Sequence, residues 1–148
     1  MSLHYELILW SSSQEDFTLK IAELINQSPS NNYFTHILNI SHCQKSSDRQ
    51  LYVKNLDLLE GGRSKEDIVI VDSVMQKFTK NLTNGIFLPI YITTSEKQDK
   101  WLHFLIPYLK DLSISPSIRQ RIKKDFELDD MFENSKQRQA FNKVQTNV

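Results

Sequence analysis

The strongest constraint on the fold is a run of four aliphatic residues, 68–71 (Ile-Val-Ile-Val), that directly follows three charged residues. A short, unbroken apolar run is typical of a strand covered on both faces, as in a parallel sheet flanked by helices. This run ends at Asp72. Residues 5–10 form a similar run that ends at Ser11. The sequence therefore predicts two buried strands, each followed directly by a polar residue.

Helical spacing appears between the predicted strands. Ser13 and Asp16 have capping-box spacing. The apolar residues that follow recur on one face of a helix over residues 14–27: Phe17, Ile21, Leu24 and Ile25. Strands are also predicted at residues 34–40 and 86–88, and helices at residues 74–80 and 96–109. Pro107 should kink or break the last helix. This alternation predicts an α/β fold with a mainly parallel sheet.

The distribution of charged residues changes after residue 112. Residues 113–148 carry seven basic and five acidic side chains in separate blocks, and Ile118, Ile122 and Phe126 are spaced for one helical face. We therefore predict a domain over residues 1–112 and a helical, charged tail over residues 113–148, which docks on the domain or on a partner. Acidic residues follow the basic ones at once, which favours a solvated surface for the block of residues 119–124.

Composition excludes several classes of protein. The 18 basic and 18 acidic side chains give a formal net charge of zero, which argues against a nucleic-acid partner. Cys43 is the single cysteine, so no intrachain disulfide forms. The apolar stretches are far shorter than the roughly 20 residues of a membrane span. The first residues lack the Arg-rich amphipathic stretch of a cleavable presequence. We therefore expect that any organelle address is internal or that Met1 is not the original start.

Ser11 and Asp72 lie where parallel sheets carry functional groups, at the carboxyl ends of strands. On position alone, a helix cap and a turn residue are the better explanations for them. His42 and Cys43 form one adjacent pair without a matching second pair of ligands. We therefore expect no metal site at that pair.

Several segments together resemble the FCP/SCP-type phosphatase domain of the HAD-like superfamily, which is also called NLI-interacting-factor-like. The resemblance covers about residues 5–112, in family order. It rests on YELILWSSS, the His42-Cys43 pair, YVKNLDLLEGGRSKEDIVIVDS, the Asn84-Gly85-Ile86 turn and DKWLHFLIPYL. It implies a three-layer HAD-like fold. ELILWSS, KIAEL and FLIPYLKDL look closest to the branch that contains the mitochondrial inner-membrane import receptor, and nuclear small CTD phosphatases look next closest. Trp101 and Phe104 are expected to pack in the core or to cover the family-type cleft.

The resemblance also implies roles for three residues. Ser11 looks like the small hydroxyl residue after the family's second strand, and Lys54 looks like the lysine of a YVKDL-like motif. Asp72 looks like the aspartate that helps to hold Mg²⁺. Family phosphatases take their nucleophile and their acid/base from a DxDx[TV] motif after the first strand.

This chain contains no Asp-x-Asp and begins near the segment that resembles the second strand. We therefore expect no catalytic residue, no cofactor and no metal, with Ser11, Lys54 and Asp72 as vestiges. Asp72 would hold Mg²⁺ only if a partner completed the site.

In a fold of this kind the first strand lies in the middle of the sheet. Its absence would leave two unpaired edges, at residues 5–10 and 68–71, and exposed strand edges invite strand addition. We expect another protein chain to fill or cover this gap with a strand or a helix. The alternative is that the two strands pair directly with each other.

These expectations favour a non-catalytic accessory or structural subunit of a larger protein assembly. The assembly would be a mitochondrial respiratory-chain or import complex, with at most a peripheral attachment to the membrane. Two alternatives stay open: one half of a split Mg-dependent protein phosphatase whose nucleophile strand comes from a partner, and a nuclear phosphopeptide-binding module. A nuclear or cytoplasmic location is the alternative to the mitochondrion.

Overall fold

The computed structural model describes residues 4–27, 31–46, 51–91 and 100–145, with side chains described up to residue 136. These ranges form a mixed α/β structure of short strands and helices. The elements are β1 (Ile8–Trp10), α1 (Glu15–Asn26), β2 (His36–Leu38), β3 (Gln44–Lys45), β4 (Tyr52–Val53), β5 (Ile70–Asp72), β6 (Gly85–Phe87), α2 (Trp101–Leu112), α3 (Ile118–Phe126) and α4 (Leu128–Gln145).

The strands form three separate pairs. β1 is parallel to β2, with Leu9 opposite Ile37, and β5 is parallel to β6, with Val71 opposite Ile86. β3 and β4 form a small antiparallel pair. The predicted α/β class, with parallel strands at these places, is confirmed. β1 and β5 do not pair with each other in the described ranges, so the alternative of direct pairing is wrong.

Helix α1 has the predicted position, but it buries small residues and leaves its large apolar residues exposed. Its buried residues are Thr18 and Ala22, whereas Phe17 is 56% exposed and Leu24 is 71% exposed. The helix packs against β2, and the residues that it buries are small ones. The predicted cap is wrong, because the residue before the helix is Gln14, without a side-chain capping bond.

Two apolar clusters around β5 and β6 form the core. The first contains Leu56, Ile68, Ile70, Phe78 and Leu128. The second contains Ile86, Leu105, Leu112 and Ile122. Ile118 and Phe126 pack against the second cluster, which confirms the predicted apolar face of α3. Residues on both sides of position 112 share these clusters, while the predicted domain boundary there stays a prediction.

Gly85 lets β6 pass close to the core. A Cβ on Gly85 would overlap the ring of the fully buried Phe78, so any larger residue would force the ring or the strand to move. The preceding Asn84 is buried and its Nδ2 donates to the backbone oxygens of Lys65, at 2.6 Å, and Ile68, at 2.8 Å. The Asn-Gly pair therefore fixes β6 against the start of β5.

The segment between β5 and β6 differs from the predicted helix over residues 74–80. It is a 3-10 helix, Met75–Asn84, with non-helical backbone at Phe78 and Asn81. Helix α2 continues through Pro107 to Leu112. Of the two effects expected of Pro107, a break is therefore wrong and a kink stays a prediction, while the predicted start at residue 96 lies outside the described residues. None of the helices in the described ranges is long and apolar enough to cross a membrane.

The exposed aromatic residues of α2 differ from expectation. Trp101 and Phe104 are 46% and 58% exposed and contact each other edge to face, with their ring centres 6.5 Å apart. Of the two expectations for them, packing in the core is wrong, because α2 buries Leu105 and Leu112 instead, and covering the family-type cleft stays a prediction.

The contacts of Arg119 differ from the solvated surface that was predicted for residues 119–124. Its Nη1 lies 2.7 Å from Glu66 Oε1 and its Nε donates to Thr83 Oγ1 at 3.1 Å. Arg119 thus ties α3 to the segments that precede β5 and β6 and is not only part of a solvated surface.

Candidate functional site

Ser11, Lys54 and Asp72 line one cavity of about 300 Å³. Ser11 directly follows β1, Lys54 directly follows β4, and Asp72 is the last residue of β5. The carboxyl ends of β1 and β5 therefore meet at this cavity, which is where α/β sheets carry functional groups. The structure brings together the three residues that the sequence singled out. We call this cavity the site.

Lys54 and Asp72 form a buried ion pair in the site. Lys54 Nζ donates to Asp72 Oδ2 at 2.5 Å, and the two side chains are only 9% and 8% exposed. The other carboxylate oxygen, Oδ1, accepts a hydrogen bond from Val74 N at 2.9 Å. Both oxygens of Asp72 therefore have partners within the protein. Removal of either charge would leave the other one buried without its counterion.

The site contains a second lysine that the sequence reading missed. Lys77 Nζ donates to Ser12 Oγ at 2.7 Å, and Lys77 O accepts from Lys54 N at 2.6 Å. The described residues that line the site thus place two ammonium groups against one carboxylate. The sequence could have indicated Ser12, because it directly follows Ser11. No periodic pattern indicates Lys77, which lies on the irregular 3-10 helix.

Ser11 organises the backbone at the end of β1. Its Oγ accepts a hydrogen bond from Ser13 N at 3.1 Å, and its own N donates to Leu38 O at 2.8 Å. The Sγ of Cys43 lies 3.9 Å from Ser11 O. The hydroxyl therefore closes a local serine turn at the rim of the site.

The donors of the site do not fit the Mg²⁺ ion that the family resemblance implies. Mg²⁺ needs near-octahedral oxygen ligands, whereas Asp72 Oδ2 faces the ammonium of Lys54 and Ser73 supplies no second carboxylate. No group of three His, Cys, Asp or Glu in the described parts of the chain is placed to hold a metal. His42 has a structural role instead, because its Nδ1 accepts from Asn39 N at 3.1 Å.

A larger cavity of about 860 Å³ adjoins the site and runs between β1 and β5. Leu9, Trp10 and Lys54 line both cavities. All residues of the ranges 4–10 and 67–71 line the larger one. Successive side chains of a strand point to opposite faces, so an unbroken lining means that strand edges border the cavity. We call this cavity the groove.

Tyr5 lies at the end of the groove away from the site. Its hydroxyl donates to Leu109 O at 2.6 Å, and burial raises the pKa of the Tyr5 phenol. The hydrogen bond connects the start of the chain with α2 at the amino end of the groove.

The chain matches the family described as NLI interacting factor-like phosphatase over residues 1–119. It is 32% identical over 124 residues to CTD small phosphatase-like protein 2 of Dictyostelium discoideum, a match that covers 84% of this chain and 20% of that protein. It is 27% identical over 131 residues to CTD small phosphatase-like protein 3 of Caenorhabditis elegans, covering 88% and 43%.

The chain therefore spans less than half the length of these curated relatives. The similarity to the mitochondrial branch of the family stays a prediction, since both relatives are named CTD small phosphatase-like proteins. A family match over residues 1–119 covers most of the chain. The chain belongs to the NLI interacting factor-like phosphatase family.

Proposed function

We propose that this chain is a non-catalytic member of its family that serves as an accessory subunit of a larger protein assembly. The observation that best supports the proposal is the state of Asp72, the one carboxylate among the described residues that line the site. Its two oxygens are bonded to Lys54 and to Val74 N. Asp72 resembles the aspartate that helps to hold Mg²⁺ in the family, so this one carboxylate supplies neither the nucleophile nor the acid/base of a family phosphatase. The 148 residues also contain no Asp-x-Asp pair.

Exposed apolar surface supports an accessory role. Phe17, Leu24 and Ile25 of α1 are 56%, 71% and 45% exposed, and the groove opens between two strand edges. Contiguous apolar surface of this kind is typical of sites that contact other proteins. We propose that the three-layer arrangement of the HAD-like fold is completed in the assembly, where a partner covers the groove.

An assay of phosphate release tests the catalytic part of the proposal. The purified chain, its Asp72→Asn variant and its Ser11→Ala variant are incubated with p-nitrophenyl phosphate and Mg²⁺, and circular dichroism verifies that each variant is folded. We expect the unmodified chain to release no more phosphate than Asp72→Asn. Hydrolysis by the unmodified chain that is lost in folded Asp72→Asn would show that the proposal is wrong.

For the location we propose the mitochondrion, with a respiratory-chain or import complex as the assembly and with any membrane contact peripheral. The support is the similarity of residues 6–12, 20–24 and 104–112 to the import-receptor branch of the family. Cell fractionation of the tagged chain, with protease protection of intact mitochondria, tests the location. Recovery in the nucleus or the cytoplasm, the two alternatives, would contradict it.

A second function is supported by the meeting of Ser11, Lys54 and Asp72 at the end of the groove. The chain would be one half of a split phosphatase, with the nucleophile on a strand from a partner. In that case the native complex hydrolyses a phosphoester in an Asp72-dependent way and the isolated chain does not.

The surplus positive charge of Lys54 and Lys77 supports the third function, a nuclear phosphopeptide-binding module. It predicts binding of a phosphoserine peptide that weakens in Lys54→Ala.

A further inference from the structure

We propose that Ser12 is a phosphorylation site and that its phosphate is bound inside the site by Lys77. The inference goes beyond the proposed function, because it concerns a covalent modification of this chain and does not depend on a partner subunit. Four features of the molecule support it: the contacts of Ser12, the position of the Lys77 ammonium, the space in the cavity, and the acidic residues that follow the turn.

Ser12 is the least fixed of the three serines between β1 and α1. Ser11 N donates to Leu38 O at 2.8 Å, and Ser13 O accepts from Ile40 N at 2.9 Å. Ser12 itself makes no backbone hydrogen bond to another described residue. The turn is thus anchored on both sides of Ser12. The half-buried Ser12 can therefore move outward to a modifying enzyme while its neighbours keep the turn in place.

The Ser12 hydroxyl is bonded to a lysine. Lys77 Nζ donates to Ser12 Oγ at 2.7 Å, and this is the hydrogen bond that the Lys77 ammonium makes within the described ranges. The other lysine of the site, Lys54, is instead held in a buried ion pair with Asp72. Lys77 therefore places a positive charge, with a neutral partner, directly at Ser12 Oγ.

The backbone of Lys77 is fixed beside the site. Its N donates to Val74 O at 2.9 Å, and its O accepts from Lys54 N at 2.6 Å. The ammonium is thus carried by an anchored segment. A phosphate on Ser12 replaces the neutral hydroxyl as the partner of this ammonium. Hydrogen bonds between ammonium and phosphate groups are shorter than neutral ones and roughly twice as strong.

The cavity has room for a phosphate group. Its volume is about 300 Å³, whereas one water molecule takes about 30 Å³ of the liquid. Phosphorylation adds only a phosphorus atom and three acceptor oxygens to the hydroxyl. Ser13 also lines the site, so its hydroxyl is a second donor in the same cavity. The attached phosphate therefore fits at the place where Lys77 meets Ser12.

Acidic residues follow the turn. Glu15 and Asp16 are exposed and lie in the first turn of α1, three positions after Ser12 and Ser13 respectively. Serine/threonine kinases of the acidic-directed class recognise a carboxylate at this spacing. The spacing does not distinguish the two serines, whereas the contact with Lys77 favours Ser12.

The modification takes ATP as its co-reactant and a protein kinase as its catalyst. Ser12 Oγ forms a bond to the γ-phosphorus of ATP, the bond from that phosphorus to the bridging oxygen breaks, and ADP leaves. The hydroxyl proton passes to the catalytic aspartate of the kinase. The product carries its own anion in the cavity, so the modification changes the site from open to filled.

Phosphopeptide mass spectrometry tests the modification. The tagged full chain is purified from its native cells with phosphatase inhibitors present, beside its Ser12→Ala and Ser13→Ala variants. We expect a phosphate on Ser12 in the unmodified sequence and in Ser13→Ala. The loss of that phosphate in Ser12→Ala supports the assignment. Absence of phosphate from Ser12, or a phosphate on Ser13 alone, overturns the proposal.

A ³¹P NMR titration tests the binding of the phosphate by Lys77. The full chain is prepared with phosphoserine incorporated at position 12. A phosphoserine loses its last proton near pH 6, and a neighbouring ammonium favours the doubly charged form. We therefore expect the midpoint of the titration to lie lower, by about 0.5 pH unit or more, than in the same chain with Lys77→Gln.

Two further lysine variants are the matched controls. Lys80 lies on the same 3-10 helix, but its Nζ donates to Gln44 Oε1 at 2.7 Å. Lys80→Gln should leave the midpoint unchanged, and Lys77→Arg, which keeps the charge, should preserve most of the lowering. Circular dichroism verifies that each variant is folded. An equal midpoint in the chain with Lys77 and in folded Lys77→Gln overturns the proposal, as does an equal change in Lys80→Gln.

Discussion

The region of β1, α1 and β2 and the region of β5, β6, α2 and α3 both pair two parallel strands beside helices, but they bury apolar side chains very differently. The second region holds the fully buried Phe78, Ile86 and Ile122. In the first region, the buried residues of the helix are Thr18 and Ala22, and its apolar residues are exposed. The comparison shows that an amphipathic pattern identifies the apolar face of a helix but does not determine whether the rest of the domain buries that face.

The largest expected effect comes from truncating one phenylalanine in each region. Phe78→Ala should reduce the free energy of unfolding by about 3–5 kcal/mol, because it removes a fully buried ring. Phe17→Ala should change it by less than about 0.5 kcal/mol, because the ring is exposed. Urea denaturation followed by circular dichroism measures both values. Equal losses would mean that α1 is packed as tightly as the core.

The ion pair at the junction of the two regions comes next. Asp72→Ala should reduce the free energy of unfolding by about 3 kcal/mol, because Lys54 would stay buried without its counterion. The double variant Lys54→Met/Asp72→Leu should recover most of that loss, because no unpaired charge remains. Urea denaturation of the two variants measures the difference. A double variant as unstable as Asp72→Ala would contradict this explanation.

A pair of glycine variants tests the close approach in the tightly packed region. Gly85→Ala should reduce the free energy of unfolding by about 1–3 kcal/mol, since the added methyl group overlaps the Phe78 ring. Gly62→Ala is the matched control at the rim of the groove, where a Cβ meets no atom within 4 Å. It should be neutral or slightly stabilising. Thermal unfolding of both variants under identical conditions checks the difference.

The smallest expected effect is a pH dependence where α2 meets α3. Arg121 Nε bonds Asp125 at 2.5 Å and Tyr108 donates to Asp125 at 3.1 Å. These bonds, that of Arg121 first, lower the pKa of the Asp125 carboxyl. Because this pKa is lower in the folded than in the unfolded chain, the stabilisation is complete above the ordinary carboxylate pKa. It is lost as the pH falls through the lowered value.

Melting temperatures from neutral to acidic pH measure this effect. Asp125→Asn should be slightly less stable than the unmodified chain at neutral pH, and the difference should shrink in acid. A constant difference across the range would contradict the role of the charge. The effect should be small because the Arg121 and Asp125 side chains are 49% and 27% exposed.

Much of the local structure could be predicted, because it depends on neighbouring residues. The runs at residues 5–10 and 68–71 contain β1 and most of β5, and the apolar spacing placed α1 within one residue at each end. The irregular conformation of the segment after β5 could not be predicted. Its backbone is not helical at Phe78 and Asn81, where the segment packs into the core. Local propensity carries no information about such tertiary fitting.

The candidate site divides in the same way. Ser11, Lys54 and Asp72 could be predicted as site residues from the motif resemblance, and they share one cavity. Lys77 could not be predicted, because its position beside Ser12 depends on where the irregular 3-10 helix lies relative to the end of β1. The ion pair of Lys54 with Asp72 also could not be predicted, because these residues are 18 positions apart and meet only through the packing of β4 and β5.

By itself the sequence determined the α/β class, the positions of the main strands and helices, the family resemblance, and the lack of any Asp-x-Asp in these residues. The tertiary structure alone decided that both oxygens of Asp72 are engaged, that α1 turns its apolar face outward, and that β1 and β5 leave a groove between them. The reason is that local patterns fix which groups need partners, while the choice of partner depends on contacts between distant parts of the chain.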